Sequence, residues 1–282
     1  MHDGRRSFIG ASKKMAASVA AGGLVLGAGL GMGVAAAAPA SAAQGPYVAI
    51  GDSYSSGLGT RDYDPDSGEC YRSPSAFPQL VSDSLGLELT FEACSGAEVD
   101  DVLGQLGNLD ESTGYVTVSV GGNDAGFTSV ITTCALPSPV TCWSEIDEAN
   151  AYITDELPTR LDELYAAISE SAPNASVAVV GYPRLFNGEE CNVIARISAE
   201  EQAELNATAD LMSDTLAAAA ERHGFGYVDP RDAFSGHAVC DDTEWVNGIS
   251  NPVRESYHPN VDGHSDGYAP LVQNALGAFG AA

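Results

Sequence analysis

The chain has 282 residues, with 12 Lys and Arg set against 39 Asp and Glu, and a formal net charge of −27. No lysine follows Lys14, so the rest of the chain can form no lysine Schiff base, no phosphate loop built on lysine and no lysine general base. A surface this acidic repels nucleic acid and anionic membranes, and neither is expected as a partner.

The chain opens on a leader. Arg5, Arg6, Lys13 and Lys14 form a positive head, Met15 to Ala38 a weakly apolar run, and Pro39-Ala40-Ser41-Ala42-Ala43 a close of small residues. That order of parts reads as a secretory signal peptide over residues 1–43, cut after Ala42 or Ala43. Arg5-Arg6-Ser7-Phe8-Ile9 has the look of a twin-arginine signal, whereas the cysteines favour oxidation after export, so the route stays open. Residues 44–282 are expected to form a single extracellular domain, a monomer without a bilayer-spanning segment.

The first strand is expected in Tyr47-Val48-Ala49-Ile50-Gly51, running into the glycine-bracketed turn Asp52-Ser53-Tyr54-Ser55-Ser56-Gly57. A polar loop follows from Thr60 to Ser73. Ser75 to Leu85 has helical spacing and stops at Gly86, and Leu87 to Phe91 reads as a strand leading to Cys94-Ser95-Gly96-Ala97. Tyr115 to Val120 is β-rich and repeats the first pattern, ending in Gly121-Gly122-Asn123-Asp124. Thr132 to Trp143 reads as a loop, and Ser144 to Ser171 as a helix broken or kinked at Pro158. Ala175 to Gly181 is a buried strand, and Tyr182 to Arg196 a loop. Ser198, with Glu201 as its capping-box partner, opens a long helix that ends near His223-Gly224. Phe225 to Val228 is the last strand, followed by a loop-rich tract and a closing helix from about Val261 to Leu276, disturbed by Pro270. Five strands alternating with helices predict an α/β fold with a central parallel sheet covered on both faces.

Cys70, Cys94, Cys134, Cys142, Cys191 and Cys240 are an even set in a chain marked for export, and none of their spacings is CxxC. Disulfides are therefore expected in place of a metal site. Pairing neighbours in order joins 70 with 94, 134 with 142 and 191 with 240, each adding roughly 2.5–4 kcal/mol on the chain-entropy model.

Three marks follow predicted strands, and a fourth stands near the C-terminus: Ser53, Gly96, Asn123 and His258. Acyl transfer needs a nucleophile, a base, and donors for the oxyanion of the tetrahedral intermediate. Ser53 and His258 supply the first two. The N–H groups of Ser53 and Gly96 and the Asn123 amide supply donors, with glycine at 96 letting a backbone N–H approach the substrate. For an unperturbed imidazole the rate would rise through a pKa near about 6.5.

Gly51-Asp52-Ser53, Gly96, Gly122-Asn123-Asp124 and His258-Pro259 resemble the four blocks of the SGNH (GDSL-type) hydrolases, in order, over about residues 47–265. With the leader and the cysteines, the chain is similar to secreted bacterial lipases and esterases of that family. The resemblance implies a three-layer α/β/α, flavodoxin-like fold. It also implies hydrolysis of small-molecule or lipid esters without metal or cofactor, and the site roles given above. The family's third triad member, an Asp three residues before the histidine, is here Glu255, which is expected to orient His258 unless a main-chain carbonyl does so. Tyr54 stands where the name motif has Leu. A phospholipase A-type or carbohydrate-acetyl esterase on the same machinery, and a secreted binding module without catalysis, are the competing readings; a protease is a poorer one.

Asp52 and Asp124 read as structural acceptors for their turns, His264 as a buried helix histidine, and His223 and His237 as surface or cap residues. Trp245 and Phe127 read as core aromatics that could alternatively wall an acyl pocket. The acceptor patterns at Asn174 and Asn206 are given no weight in a chain of bacterial character.

Overall fold

A computed structural model describes residues 45–135, 142–191 and 197–280. The signal-peptide reading of residues 1–43 lies outside the described residues, as do the middle of the Thr132–Trp143 segment and the end of the Tyr182–Arg196 loop.

Five parallel strands form the sheet in the order β2-β1-β3-β4-β5: β1 Tyr47–Gly51, β2 Leu89–Phe91, β3 Tyr115–Ser119, β4 Ser176–Val180 and β5 Gly226–Val228. Every residue of β1 and β3 is buried, because both faces of the sheet are covered. This is the flavodoxin-like order, in which the chain reverses its direction of travel between β1 and β3 and leaves a crevice beyond their C-terminal ends. Register aligns Gly51 with Ser119, so the turns after both strands leave the sheet at one level.

Helices α2 (Phe77–Leu85) and α8 (Ala269–Gly280) pack together as one layer. The other layer holds α3 (Val99–Gly104), α6 (Leu157–Ser171) and α7 (Ala199–Arg222), with α5 (Cys142–Asp155) against α7 and α4 (Phe127–Ala135) against α5. Ser198 and Glu201 form the expected capping box of α7. No helix of the described residues is long and apolar enough to cross a membrane.

The expected disturbances at Pro158 and Pro270 take definite forms, and one expected loop is partly helix. The Ser144–Ser171 stretch is two helices that part at Glu156, with Pro158 in the first turn of α6, where its missing N–H costs nothing. Part of the Thr132–Trp143 segment is helix, since α4 runs to Ala135 and α5 starts at Cys142. In the closing helix, Gly263–Tyr268 is wound as a π-helix, with Ala269 N–H reaching His264 O. Pro270 cannot donate and its ring crowds the preceding turn, so widening that turn removes the conflict. The three disulfides join Cys70–Cys94, Cys134–Cys142 and Cys191–Cys240, leaving no cysteine free.

Candidate active site

Ser53 opens α1 (Ser53–Ser56), the four-residue helix directly after β1. Asp52 caps it, its Oδ1 accepting Tyr54 N–H at 3.0 Å, and Gly57 closes it at φ +93°, a conformation costly to other residues. As the first residue of a helix, Ser53 has a backbone N–H with no partner inside that helix.

The turn after β2 carries Gly96 at φ +82°; a Cβ there would meet nothing within 4 Å, so glycine is required by conformation more than by space. Cys70–Cys94 and the bond from Ser95 N–H to Cys70 O (3.1 Å) hold this turn. After β3, the Asn123 amide donates one N–H to Ala97 O at 2.9 Å and keeps its second for another acceptor. Asp124 accepts Val99 N–H at 3.1 and 3.2 Å, so it caps α3 and ties the β3 turn to the β2 turn.

His258 stands in an irregular tract. Its position comes from Asn247, whose N–H donates to His258 O (2.9 Å), whose O accepts Tyr257 N–H (2.8 Å), and whose amide donates to Gly59 O (2.9 Å). Tyr54 Oη adds a bond to Tyr257 O at 2.8 Å, and Tyr257 itself is held at φ +59°, strained for a side-chain-bearing residue.

These segments bring the imidazole onto the serine: His258 Nε2 lies 2.8 Å from Ser53 Oγ and His258 Nδ1 lies 2.9 Å from Ser256 O. A carbonyl only accepts, so Nδ1 carries the proton and Nε2 presents its lone pair to the serine hydroxyl. Both residues are nearly buried, at 6% and 8% exposure. Burial pulls the His258 pKa down to about 4, against the opposing pull of the Ser256 carbonyl and the Glu255 charge. The imidazole is therefore neutral at lower pH than the ordinary value suggested.

The expectation for Glu255 is corrected. Its carboxylate is buried at 2% exposure but accepts from Arg61 Nε (3.0 Å) and Tyr63 Oη (2.8 Å), and the His258 Nδ1 proton goes to Ser256 O. The longer side chain turns toward Arg61, and a main-chain carbonyl takes the orienting position.

The remaining candidates fall elsewhere. His264 is fully buried; its Nδ1 accepts Phe77 N–H (3.2 Å) at the start of α2, which lacks a side-chain cap. His223 ends α7 beside Asp162, and His237 stacks on Trp245 at 3.7 Å. Phe127 lines a cleft running from Ser53, whereas Trp245 is not among its lining residues. The cleft, with a cavity volume of about 90 Å³, is walled by Phe127, Val130, Ile131, Ile153, Leu205 and Met212. Among the described residues no cluster of three or more His, Cys, Asp or Glu could hold a metal.

Residues 49–265 match the GDSL-like Lipase/Acylhydrolase family. The chain belongs to this family. It is 44% identical to "Lipase 1" of Streptomyces coelicolor over 89% of this chain and 94% of that one, and 43% identical to a lipase of Streptomyces rimosus over 81% and 86%. The crystal structure of an extracellular lipase from Streptomyces rimosus aligns with TM-score 0.79 and 41% identity, covering 82% of this chain and all of that one. That of a phospholipase A1 from Streptomyces albidoflavus does so with TM-score 0.79 and 40% identity, covering 82% and 99%. The protein is a carboxylic ester hydrolase.

This GDSL-type hydrolase has supports that its motifs did not announce. Gln105 bridges Gly51 on both sides, accepting its N–H at 2.7 Å and donating to its O at 3.0 Å, an oxygen that also accepts Cys94 N–H at 2.9 Å beyond the end of β2. Asn247 latches the histidine loop. Tyr182, just past β4, donates to Asp52 Oδ2. None of the three belongs to a periodic pattern or a known block, and only proximity in space reveals them.

Proposed function

We propose that this ester hydrolase is a secreted serine lipase or esterase, freed of residues 1–43 and acting as a one-domain monomer, with Ser53 as nucleophile and His258 as base. The observation that carries this reading is the 2.8 Å contact from His258 Nε2 to Ser53 Oγ, on an imidazole whose other nitrogen is committed to Ser256 O. As Ser53 Oγ bonds to the ester carbonyl carbon, its proton passes to Nε2. The oxyanion forms against the N–H groups of Ser53 and Gly96 and the second amide hydrogen of Asn123. Collapse expels the alcohol, whose oxygen takes the proton from Nε2. Water then attacks the acyl-enzyme, gives a proton to Nε2, and its oxygen leaves in the carboxylic acid as Ser53 regains its proton. The arrangement is a dyad with a carbonyl orienter, Glu255 acting on His258 only through charge and the loop.

The acyl chain lies in the apolar cleft beside Ser53, where side chains such as Ile131, Ile153 and Met212 match a hydrocarbon better than a sugar. Phospholipid esters are a second reading, favoured by the 40% identity to a phospholipase A1. Secretion is supported by the leader, the disulfides and the likeness to an extracellular lipase. The test is Ser53→Ala assayed on p-nitrophenyl esters of two to eighteen carbons and on a phospholipid: kcat should fall by about 10⁶-fold. Parental turnover by that variant would end the proposal, and the chain-length profile of the parent separates esterase, lipase and phospholipase.

A further inference from the structure

Tyr182 belongs to neither the serine nor the asparagine segment, yet its hydroxyl touches both. Its Oη accepts Gly122 N–H at 3.3 Å, one residue before Asn123, and donates to Asp52 Oδ2 at 2.5 Å, one residue before Ser53. The carboxylate it meets is itself fixed. Asp52 Oδ1 accepts Tyr54 N–H (3.0 Å) and Ser119 Oγ–H (2.7 Å), so Ser119, its hydrogen spent, accepts from Ser55 Oγ (2.7 Å). One arm of this network thus fastens α1 to the end of β3. The other, through the phenol, fastens the turn that delivers Asn123.

We infer that Tyr182 is a positioning residue that sets the Asn123 donor against the Ser53 donor, through Gly122 on one side and Asp52 on the other. The inference rests on the assignment of Asn123 to the oxyanion hole. The remaining backbone bonds of the Asn123 turn, Ala125 N–H to Gly121 O, Gly126 N–H to Asn123 O and Phe127 N–H to Gly122 O, run within its own segment, and the Asn123 amide and the Asp124 carboxylate tie it to the β2 turn. The phenol is the link to the nucleophile's own cap. Its ring stands edge-on to Tyr54 at 5.0 Å and walls the cleft, so phenylalanine preserves the shape while deleting the link. Burial, followed by the charge of Asp52, keeps the phenol protonated well beyond its ordinary range, so it remains a donor.

The experiment is a double-mutant cycle of Tyr182→Phe and Asn123→Ala, on a p-nitrophenyl ester and with thermal melts of each variant. Tyr182→Phe should lower kcat about tenfold and leave KM within about twofold, as expected for loss of a bond to a charged group outside the substrate's contacts. In the Asn123→Ala background the same change should cost less than about twofold, because the donor it sets is gone. Equal losses in both backgrounds, or parental kcat in the single variant, would overturn the inference. Both outcomes leave the oxyanion assignment standing if Asn123→Ala alone loses about 10²–10³ in kcat. Parental activity in Asn123→Ala would remove that assignment and this inference together. Should Tyr182→Phe not fold, Tyr182→Met, which also deletes the hydroxyl and fills the site with a flexible apolar chain, takes its place in the cycle, with the same coupling to Asn123→Ala expected.

Discussion

The two halves of the site are built differently. Ser53 and Asn123 ride on turns at the ends of aligned strands, where register places them and a few capping bonds finish the work. His258 stands in a tract whose regular structure is limited to the turn Val253–Glu255 and a single bridge of Val246 to Pro259, and its position rests largely on individual polar bonds from Asn247, Tyr54 and the Arg61–Glu255 pair. Sheet-borne groups inherit precision from the core, whereas a loop-borne group must be fastened bond by bond. Mutations should therefore separate stability from turnover in opposite ways on the two sides.

The largest effect expected within this contrast is at Asn123, where alanine should remove about 10²–10³ from kcat while melting close to the parent, because the sheet holds its backbone. On the loop side, Asn247→Ala deletes the side-chain bond to Gly59 O while both backbone bonds to the histidine loop remain, and should cost about tenfold in kcat through a small shift of the imidazole, with a modest fall in Tm. Gln105→Ala makes the converse case: it strips the acceptor from the buried Gly51 N–H, leaving Gly51 O to Cys94 N–H, and should cost about 1–3 kcal/mol of stability with kcat near parental. If Gln105→Ala hurt turnover more than Asn247→Ala, the division between the halves would be wrong.

Smaller effects concern charge. Protonated His258 cannot act as base, so kcat/KM should rise through a pH of about 4 and stay flat above it. The Glu255 carboxylate raises that pKa, so Glu255→Gln should move the acid limb lower, with a loss in kcat of roughly three- to tenfold as the Arg61 and Tyr63 bonds weaken. An unmoved limb would mean that the carboxylate does not act on the ring. The smallest effect is on the melt. His258 and His264 are lowered from 6.5 to about 4 and about 3, so between those values and 6.5 the unfolded chain binds more protons. Their contribution to stability is complete above pH 6.5 and is lost as pH falls through the folded values, which melts from pH 3.5 to 7 would register as Tm rising with pH.

Much of this was legible in the sequence where chemistry and pattern coincide. Three of the strands showed as apolar runs leading to glycine, Ser198 and Glu201 announced α7, and the cysteines paired in order. Ser53, Gly96, Asn123 and His258 stood out because four short blocks occur in a fixed succession. The direction of the Glu255 carboxylate was not readable: a residue three places before a histidine can face the ring or turn toward Arg61, and only the fold decides. Helix α3 escaped notice because its six residues give too short a period, and its caps, Glu98, Asp101 and Asp124, are drawn partly from another turn. Tyr182, Gln105 and Asn247 each act singly across long stretches of chain, which no spacing records.

One feature of the parallel sheet bears on handling the enzyme. Its strands all enter from one edge, where Pro46 O accepts from Gly114 and Tyr115 N–H, and Ser53 and Asn123 follow the opposite edge, about 17 Å away across a five-residue strand. Both lysines and the terminal amine precede Gly45 in the chain. Once residues 1–43 are removed no lysine remains, so an amine-reactive resin could couple the mature enzyme only through its new terminal amine.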